Sequence, residues 1–271
     1  EEEYDEEALK KSNTVVEIID NEEELTPERL AAMDILHQPE RVIIEYNGMW
    51  LVSNFEKMQL PTGWGVEQQI TCVDGSTFQM YMANMKSIFM DMIKNTDMVI
   101  FNRCKKEDPL PTYRRGIKVA NQRAEVIFED EEGELGDIFQ DEMPFDMNAP
   151  VIEILPEDYG IWFVDAMDHP ENYEGKTVKF KARVMKPRGM GSKFFVPGRT
   201  AMTCCADDTT FLGYVCKSAY APKLTPGEWV EVTAKVGIEK RNEYQGEEGI
   251  VLAAEHVEQC DPLEDEMVYF N

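Results

Sequence analysis

Four short runs of β-branched and aromatic residues limit what this chain can fold into: residues 41–46 (RVIIEY), 69–73 (QITCV), 98–101 (MVIF) and 124–128 (AEVIF). Most are apolar without strict alternation, which suits parallel strands covered on both faces. Helical stretches lie between and before them. The first is predicted over 26–37, with Thr26 as N-cap, Pro27 in the first turn and Glu28 close behind. Others are predicted over 76–95 and 112–121. Only a loop over 49–67 interrupts the alternation, so the pattern predicts an α/β fold with a doubly wound, mostly parallel sheet. Met80, Met82, Met85, Met90 and Met92 crowd the second of these helices. Such a cluster can bind soft metals or varied partners, but its helical spacing favours packing on the sheet.

The second half has another rhythm. An acidic stretch, 129–149, contains Gly133, Gly136 and Pro144 and reads as a linker between domains at 1–128 and 150–271. An amphipathic helix over 156–169 carries Tyr159, Trp162, Phe163 and Met167 on one side and ends at Pro170. Five strand-like runs follow, at 177–186, 193–205, 210–216, 229–238 and 250–257. Turn signals at Pro187-Arg-Gly189, Asp207-Asp208, Pro226-Gly227 and Gln245-Gly246 divide them. Five short strands after one leading helix predict a small all-β, OB-like barrel.

Charge excludes some functions. The formal net charge is −26, with 53 acidic against 27 basic residues, and such a surface repels a phosphate backbone. Lys179, Lys181, Arg183, Lys186, Arg188, Lys193 and Arg199 form a mildly basic stretch whose alternation reads as a solvated strand face. Its surplus could dock an acidic partner, the chain's own linker included. No apolar run approaches the ~20 residues of a membrane-spanning helix. The acidic opening at Glu1 is the opposite of a signal peptide, so no direct membrane span and a cytoplasmic location are expected. Six cysteines, Cys72, Cys104, Cys204, Cys205, Cys216 and Cys260, read as reduced thiols in a chain large enough to form its own core.

In an open parallel sheet ligands bind beyond the carboxyl ends of the strands. Here those ends carry Glu45 to Gly48, Asp74-Gly75 and Asn102-Arg103. A strand-end carboxylate can orient water, and an Asn amide can hydrogen-bond a base edge. Val42-Ile-Ile-Glu-Tyr-Asn-Gly48, Val73-Asp74, Asp97-Met-Val-Ile-Phe-Asn102 and Tyr113-Arg-Arg-Gly-Ile-Lys118 resemble, in that order, the back half of a CobW/HypB/UreG-type P-loop GTPase domain. The resemblance implies GTP and Mg²⁺ as ligands. It places Glu45 near the magnesium and attacking water, Gly48 at the γ-phosphate, and Asn102 with Arg103 at the base. Three departures accompany it. No Gly-x-x-x-x-Gly-Lys-Ser/Thr occurs, so the phosphate loop is expected upstream of Glu1, and this chain alone is expected to bind and hydrolyse GTP poorly. Lys105 stands where the family has its guanine-reading Asp, and an ammonium cannot accept from guanine; Glu107 is the nearest replacement. The family's Cys-x-Cys-Cys motif is missing, with 13–26 in its neighbourhood.

The second half also has a look-alike. Thr203-Cys-Cys-Ala-Asp207, Phe211-Leu-Gly213, Glu228-Trp-Val230 and Val268-Tyr269 resemble the C-terminal domain of the YcgQ-type subunit of a two-component permease, over about 151–270. Neighbouring residues on a strand point to opposite faces, so Cys204 and Cys205 share a metal only at a bulge. With Asp207 and Cys216 they would then form a thiolate-rich zinc site; the alternative is that the cysteines are structural. Together the resemblances imply a GTP-dependent switch or metal chaperone coupled to a permease. The other reading is a non-enzymatic module whose barrel binds a protein partner or zinc.

Overall fold

A computed structural model describes residues 6–136, 143–202 and 209–268. The chain divides into two compact units between residues 69 and 70.

Among its described residues the first unit contains the α-helices α1 (Glu6–Lys11), α2 (Pro27–His37) and α3 (Val52–Glu56), with a single 3-10 turn at Glu22–Glu24. Helix α2 starts where local chemistry dictates. The Thr26 hydroxyl accepts from the Arg29 N–H at 3.2 Å, Pro27 occupies the first turn, and Gln38 closes the helix in the left-handed region at φ 46°. Residues 41–46 depart from expectation, for they carry no strand pairing. Val42, Ile43 and Ile44 are exposed, Ile43 at 87%. β propensity yields a strand only where a neighbour completes the ladder and covers a face. Beyond them Tyr46 packs edge-on to Trp50 and donates its hydroxyl to Leu51 O.

In the second unit β1 (Ile70–Asp74), β2 (Met98–Asn102) and β3 (Glu125–Phe128) form a three-stranded parallel sheet in that order. Helices α4 (Phe78–Ile93) and α5 (Leu110–Ala120) are the crossovers. Crossovers of one hand between successive neighbours fall on one side of a sheet. Phe78 and Tyr113 accordingly both pack on Phe101, with centroids 4.9 and 5.8 Å away, and Phe101 stacks on Phe128. Val73, Val99, Phe89, Ile93, Leu110 and Ile117 complete this core. The opposite face leaves Ile70 and Cys72 exposed and Ile100 half-buried. Among the described residues the α/β part is therefore a small two-layer sheet and not doubly wound, because both crossovers use the same face. Met90 is buried in this core, as packing requires, whereas Met80 is exposed.

The remainder is the barrel. A short strand β4 (Ile152–Glu153) and helix α6 (Tyr159–Asp168) precede β5 (Thr177–Met185), β6 (Phe194–Met202), β7 (Thr209–Gly213), β8 (Val215–Lys217), β9 (Trp229–Lys240), β10 (Glu248–Gln259) and β11 (Met267–Val268). The order β6-β8-β10-β9-β5 closes through β5–β6 pairing, with β8 and β10 parallel and the other barrel pairs antiparallel. This is an OB-like five-stranded barrel with extra strands β4, β7 and β11 at its margins. The predicted strand over 210–216 is split at Tyr214 into β7 and β8. Helix α6 plugs the core: Trp162 is fully buried 4.8 Å from Phe180, and Tyr159 donates to Leu212 O. Arg199, 2% exposed, clasps the C-terminal strand by donating to Asp265 O and Met267 O at 3.0 Å each.

Sheet and barrel meet through α5 and α6. Arg114 donates to Asp168 Oδ2, and Lys118 Nζ lies 3.6 Å from Asp168 Oδ1. The Asp168 side chain is 8% exposed and that of Lys118 12%. Removing one member of such a cluster strands the others without counter-charge. Asp168→Asn is expected to cost about 3–5 kcal/mol in urea denaturation, and Arg114→Met/Lys118→Met/Asp168→Leu to recover most of that loss. A single substitution as mild as a surface change would refute the cluster's role.

Candidate functional site

The carboxyl ends of β1 and β2 lie side by side, with Asp74 paired in register to Asn102. The turn after β1 is tight. Gly75 N–H donates to Asn102 O at 2.8 Å, and a Cβ at Gly75 would stand 2.6 Å from Cys104 Sγ and 3.0 Å from Asn102 O. Glycine is needed there by close approach, and its φ is not of the left-handed kind. Asp74 Oδ1 accepts from the Ser76 hydroxyl at 2.5 Å and the Ser76 N–H at 3.0 Å, while Oδ2 accepts from Arg103 Nη1 at 2.7 Å. Arg103 adopts the left-handed region, φ 55°, with its side chain 72% exposed. These donors, Ser76 first and then Arg103, hold the Asp74 carboxyl below its ordinary range.

Asn102 is half-buried at the end of β2, and its amide oxygen is buried without a hydrogen-bond partner. Past it, Cys104 N–H donates to Glu129 O, tying this loop to the end of β3. Lys105 N–H donates to Asp108 Oδ2 at 2.7 Å, and Asp108 N–H returns to Lys105 O at 3.0 Å. Asp108 is thus committed to its own loop, whereas Lys105 and Glu107 are exposed.

The sequence-derived site residues fall in several places. Asp74, Asn102 and Arg103 are brought together. Glu45 is exposed in the unpaired segment of the first unit, not at a strand end, and Gly48 lies in the turn opened by Asn47, whose side chain accepts from Met49 N–H at 2.9 Å. Cys204, Cys205 and Asp207 lie outside the described residues. Cys216 sits on β8, fully buried in the barrel core, and burial pushes its thiol up to about 12. Cys104, likewise buried, is pushed up to about 11. No group of three or more potential ligand residues could hold a metal among the described residues, and none of their helices is long and apolar enough to cross a membrane. Sequence reasoning missed Ser76 and Asp108. The signal for each was a short polar side chain within three residues of a strand-end turn, where it bonds the backbone or a neighbouring carboxylate.

Residues 134–270 match the family model of the DUF1980 C-terminal domain. Among curated proteins none matches the chain. Among solved structures it is similar to the mitochondrial single-stranded DNA-binding protein of S. cerevisiae, at 10% identity and a TM-score of 0.21, over 32% of this chain and 97% of that one. It is also similar to aspartyl-tRNA synthetase from Entamoeba histolytica, at 15% identity and TM-score 0.24, covering 44% of this chain and 27% of that one. A synthetase from Leishmania major Friedlin described as a putative aspartyl-tRNA synthetase gives 18%, 0.24, 42% and 21% respectively. Likenesses at these TM-scores carry no argument about fold or ligand.

Two measurements check the site. In carboxyl NMR titrations Ser76→Ala is expected to raise the Asp74 titration more than Arg103→Ala, since Ser76 contributes most. Because the folded value is depressed, the Asp74 contribution to stability is present above its unfolded value and is lost as pH falls through the folded one. The reverse order of the two variants would overturn the assignment. In thiol labelling of the native chain at pH 8, exposed Cys72 is expected to react readily, and Cys104 and Cys216 only on unfolding.

Proposed function

Because the chain belongs to the DUF1980 C-terminal domain family, we propose that its barrel recognises a protein partner and that its small parallel sheet supplies the base side of a nucleotide-binding switch. The buried, unpaired amide oxygen of Asn102 carries this reading. Leaving such an acceptor unmet costs about 1–3 kcal/mol, and a base edge docked at the ends of β1 and β2 would bring it a donor once the side chains covering it move. Exposed Arg103 stands beside it with its charge already oriented by Asp74.

On this reading the nucleotide is GTP with Mg²⁺, as the CobW-type resemblance implies. The magnesium would offset phosphate charge and polarise the γ-phosphate. Glu45 and Gly48 keep the roles that resemblance gives them as proposals, orienting water and approaching the γ-phosphate. The base preference rests on Asn102 and the loop at 103–108, where Asp108 already serves its own backbone and Lys105 offers no acceptor. A permease subunit enters as the barrel's partner, in the cytoplasm, where reduced thiols persist. A metal-chaperone role, with Cys204, Cys205, Asp207 and Cys216 as the candidate zinc ligands, is the other form of this proposal.

A second reading is a non-enzymatic binding module. Lys105 favours it, because a sheet that has lost its guanine-reading carboxylate can persist as scaffold.

Binding of fluorescent GTP and ATP analogues with Mg²⁺ by the chain and by its full-length gene product separates the two. The switch reading expects saturable binding by the full-length product, weakened about tenfold by Asn102→Ala at unchanged melting temperature. No binding by folded full-length protein would leave the binding module standing.

A further inference from the structure

Among its described residues the first unit buries the apolar side chains of Leu25 and Leu30, yet it leaves Val42, Ile43 and Ile44 in succession exposed at 43, 87 and 42%. Their backbone is as unmet as their side chains. Over 41–45 no N–H or C=O takes a hydrogen bond among the described residues. Such a segment is a strand without its neighbour, and exposed strands of this composition pair with whatever complements them. The other strand-like run of this unit, 14–20, is already engaged by α2: Arg29 donates to Ile18 O at 3.0 Å, and His37 Nε2 lies 2.9 Å from Glu17 Oε1.

The charges of this segment say what complements it. Laid antiparallel on a second copy of itself about Ile43, the run Arg41-Val-Ile-Ile-Glu-Tyr46 sets Arg41 opposite Glu45 at both ends. Val42 then faces Ile44 twice, and Ile43 faces Ile43. Opposite-charge and β-branched pairs are the cross-strand contacts that stabilise a ladder. Neighbouring registers lose this match. One step one way faces Glu45 with Val42, and one step the other way faces it with Glu40. A parallel in-register pairing faces Arg41 with Arg41 and Glu45 with Glu45. Arg41 and Glu45 are both exposed and make no ion pair among the described residues, so neither has to leave a partner to form these contacts.

We propose that residues 41–46 are the interface of a two-fold dimer, in which each copy supplies the other's missing strand. Alternation puts Arg41, Ile43 and Glu45 on one face of the shared ribbon and Val42, Ile44 and Tyr46 on the other. A two-stranded ribbon by itself is marginal in water and needs apolar cover. Ile35 and Leu36, in the last turn of α2 just upstream of Arg41, are 77 and 72% exposed and supply it. The far end of the segment is anchored, since Tyr46 packs against Trp50 and Phe55. An extended peptide of another protein would also find backbone groups to bond, but a second copy brings both charge matches at once. The contact is small beside the ~1,600 Å² of a standard interface, so the dimer is weak and concentration-dependent. The inference does not rest on the nucleotide reading, since it draws Glu45 to a protein strand and is read out as mass.

The test is sedimentation velocity of the full chain from low-micromolar to near-millimolar concentration, with amide hydrogen exchange alongside. A monomer–dimer equilibrium is expected, and the amides of 42–45 should exchange more slowly as the dimer fills. Arg41→Glu and Glu45→Arg each set like charges opposite at both ends and should weaken the dimer at least about tenfold. Both side chains are exposed, so the melting temperature at dilution should not change. Two rescues separate pairing from a merely structural loss. The double variant Arg41→Glu/Glu45→Arg should dimerise again, and an equimolar mixture of the two single variants should form the mixed dimer. Val16→Ser, on the segment held by α2, should leave the dimer intact. A chain monomeric at every concentration would overturn the proposal. So would charge variants that neither rescue restores, or protection that arises away from 42–45. Species that keep growing beyond the dimer would do the same, because they mark a contact between unlike surfaces.

Discussion

The second unit depends on helix α5 being useful on two sides. Leu110, Tyr113 and Ile117 recur at three- and four-residue spacing and seal the sheet, while Arg114 and Lys118, four apart, reach Asp168 at the end of α6. Val119 goes further and joins the barrel core. A buried ionic contact gains little net energy over an apolar one, but it tolerates little displacement, since a shifted carboxylate leaves two desolvated cations unmet. The contact therefore fixes where α5 lies against α6. Because α5 begins two residues after Asp108, it also fixes the loop that follows Asn102. The loop beyond the strand ends is thereby anchored to the barrel.

What could be read from the sequence followed how local its cause was. The start of α2 depends on Thr26 and Pro27 alone, and it stands where the cap residues put it. The barrel strands alternate over one shared core, so their spans were legible to within a few residues. The exception is the break at Tyr214, whose ring is buried and whose hydroxyl donates to Phe163 O, a tertiary demand no strand pattern announces. The layering of the sheet was not legible. An apolar strand can be covered on either face, and the side used is settled by the path of the crossovers, not by the strand. Residues 41–46 fail for the same reason, since their propensity is strong and a partner within the same chain is not a property of the segment. In the site, Asp74, Asn102 and Arg103 could be found because strand ends are where ligands meet parallel sheets. Ser76 and Asp108 act within three residues of the carboxylate or backbone group they serve, a turn position they share with many residues that have no such role.

The electrostatics act differently on extended and compact anions. Many of the chain's cations are spent locally: Arg29 on Glu24, Arg103 on Asp74, Lys179 on Glu231, Arg241 on Glu243. The acidic excess that remains is spread along the sequence. A polyanion samples that excess over many residues and is repelled. A compact anion samples only what lies within about a Debye length of 8 Å. Net charge thus argues against nucleic acid without arguing against a small anionic ligand.

Among the described residues, three buried side-chain polar atoms lack partners: Trp162 Nε1, Arg199 Nε and Asn102 Oδ1. They do not carry equal weight. Trp162 and Arg199 are 0% and 2% exposed, and both are enclosed by the barrel core and its clasp, where the gain from burying a large side chain offsets one unmet donor. Asn102 is only half-buried, and an amide at a strand end gains little from burial. A serine or alanine there would leave the ladder between β1 and β2 untouched, since that ladder uses only backbone groups. The Asn102 side-chain oxygen therefore has no hydrogen bond that accounts for its burial. The same reasoning sets Asp108 aside as a base reader, because its oxygen already has a partner in Lys105 N–H.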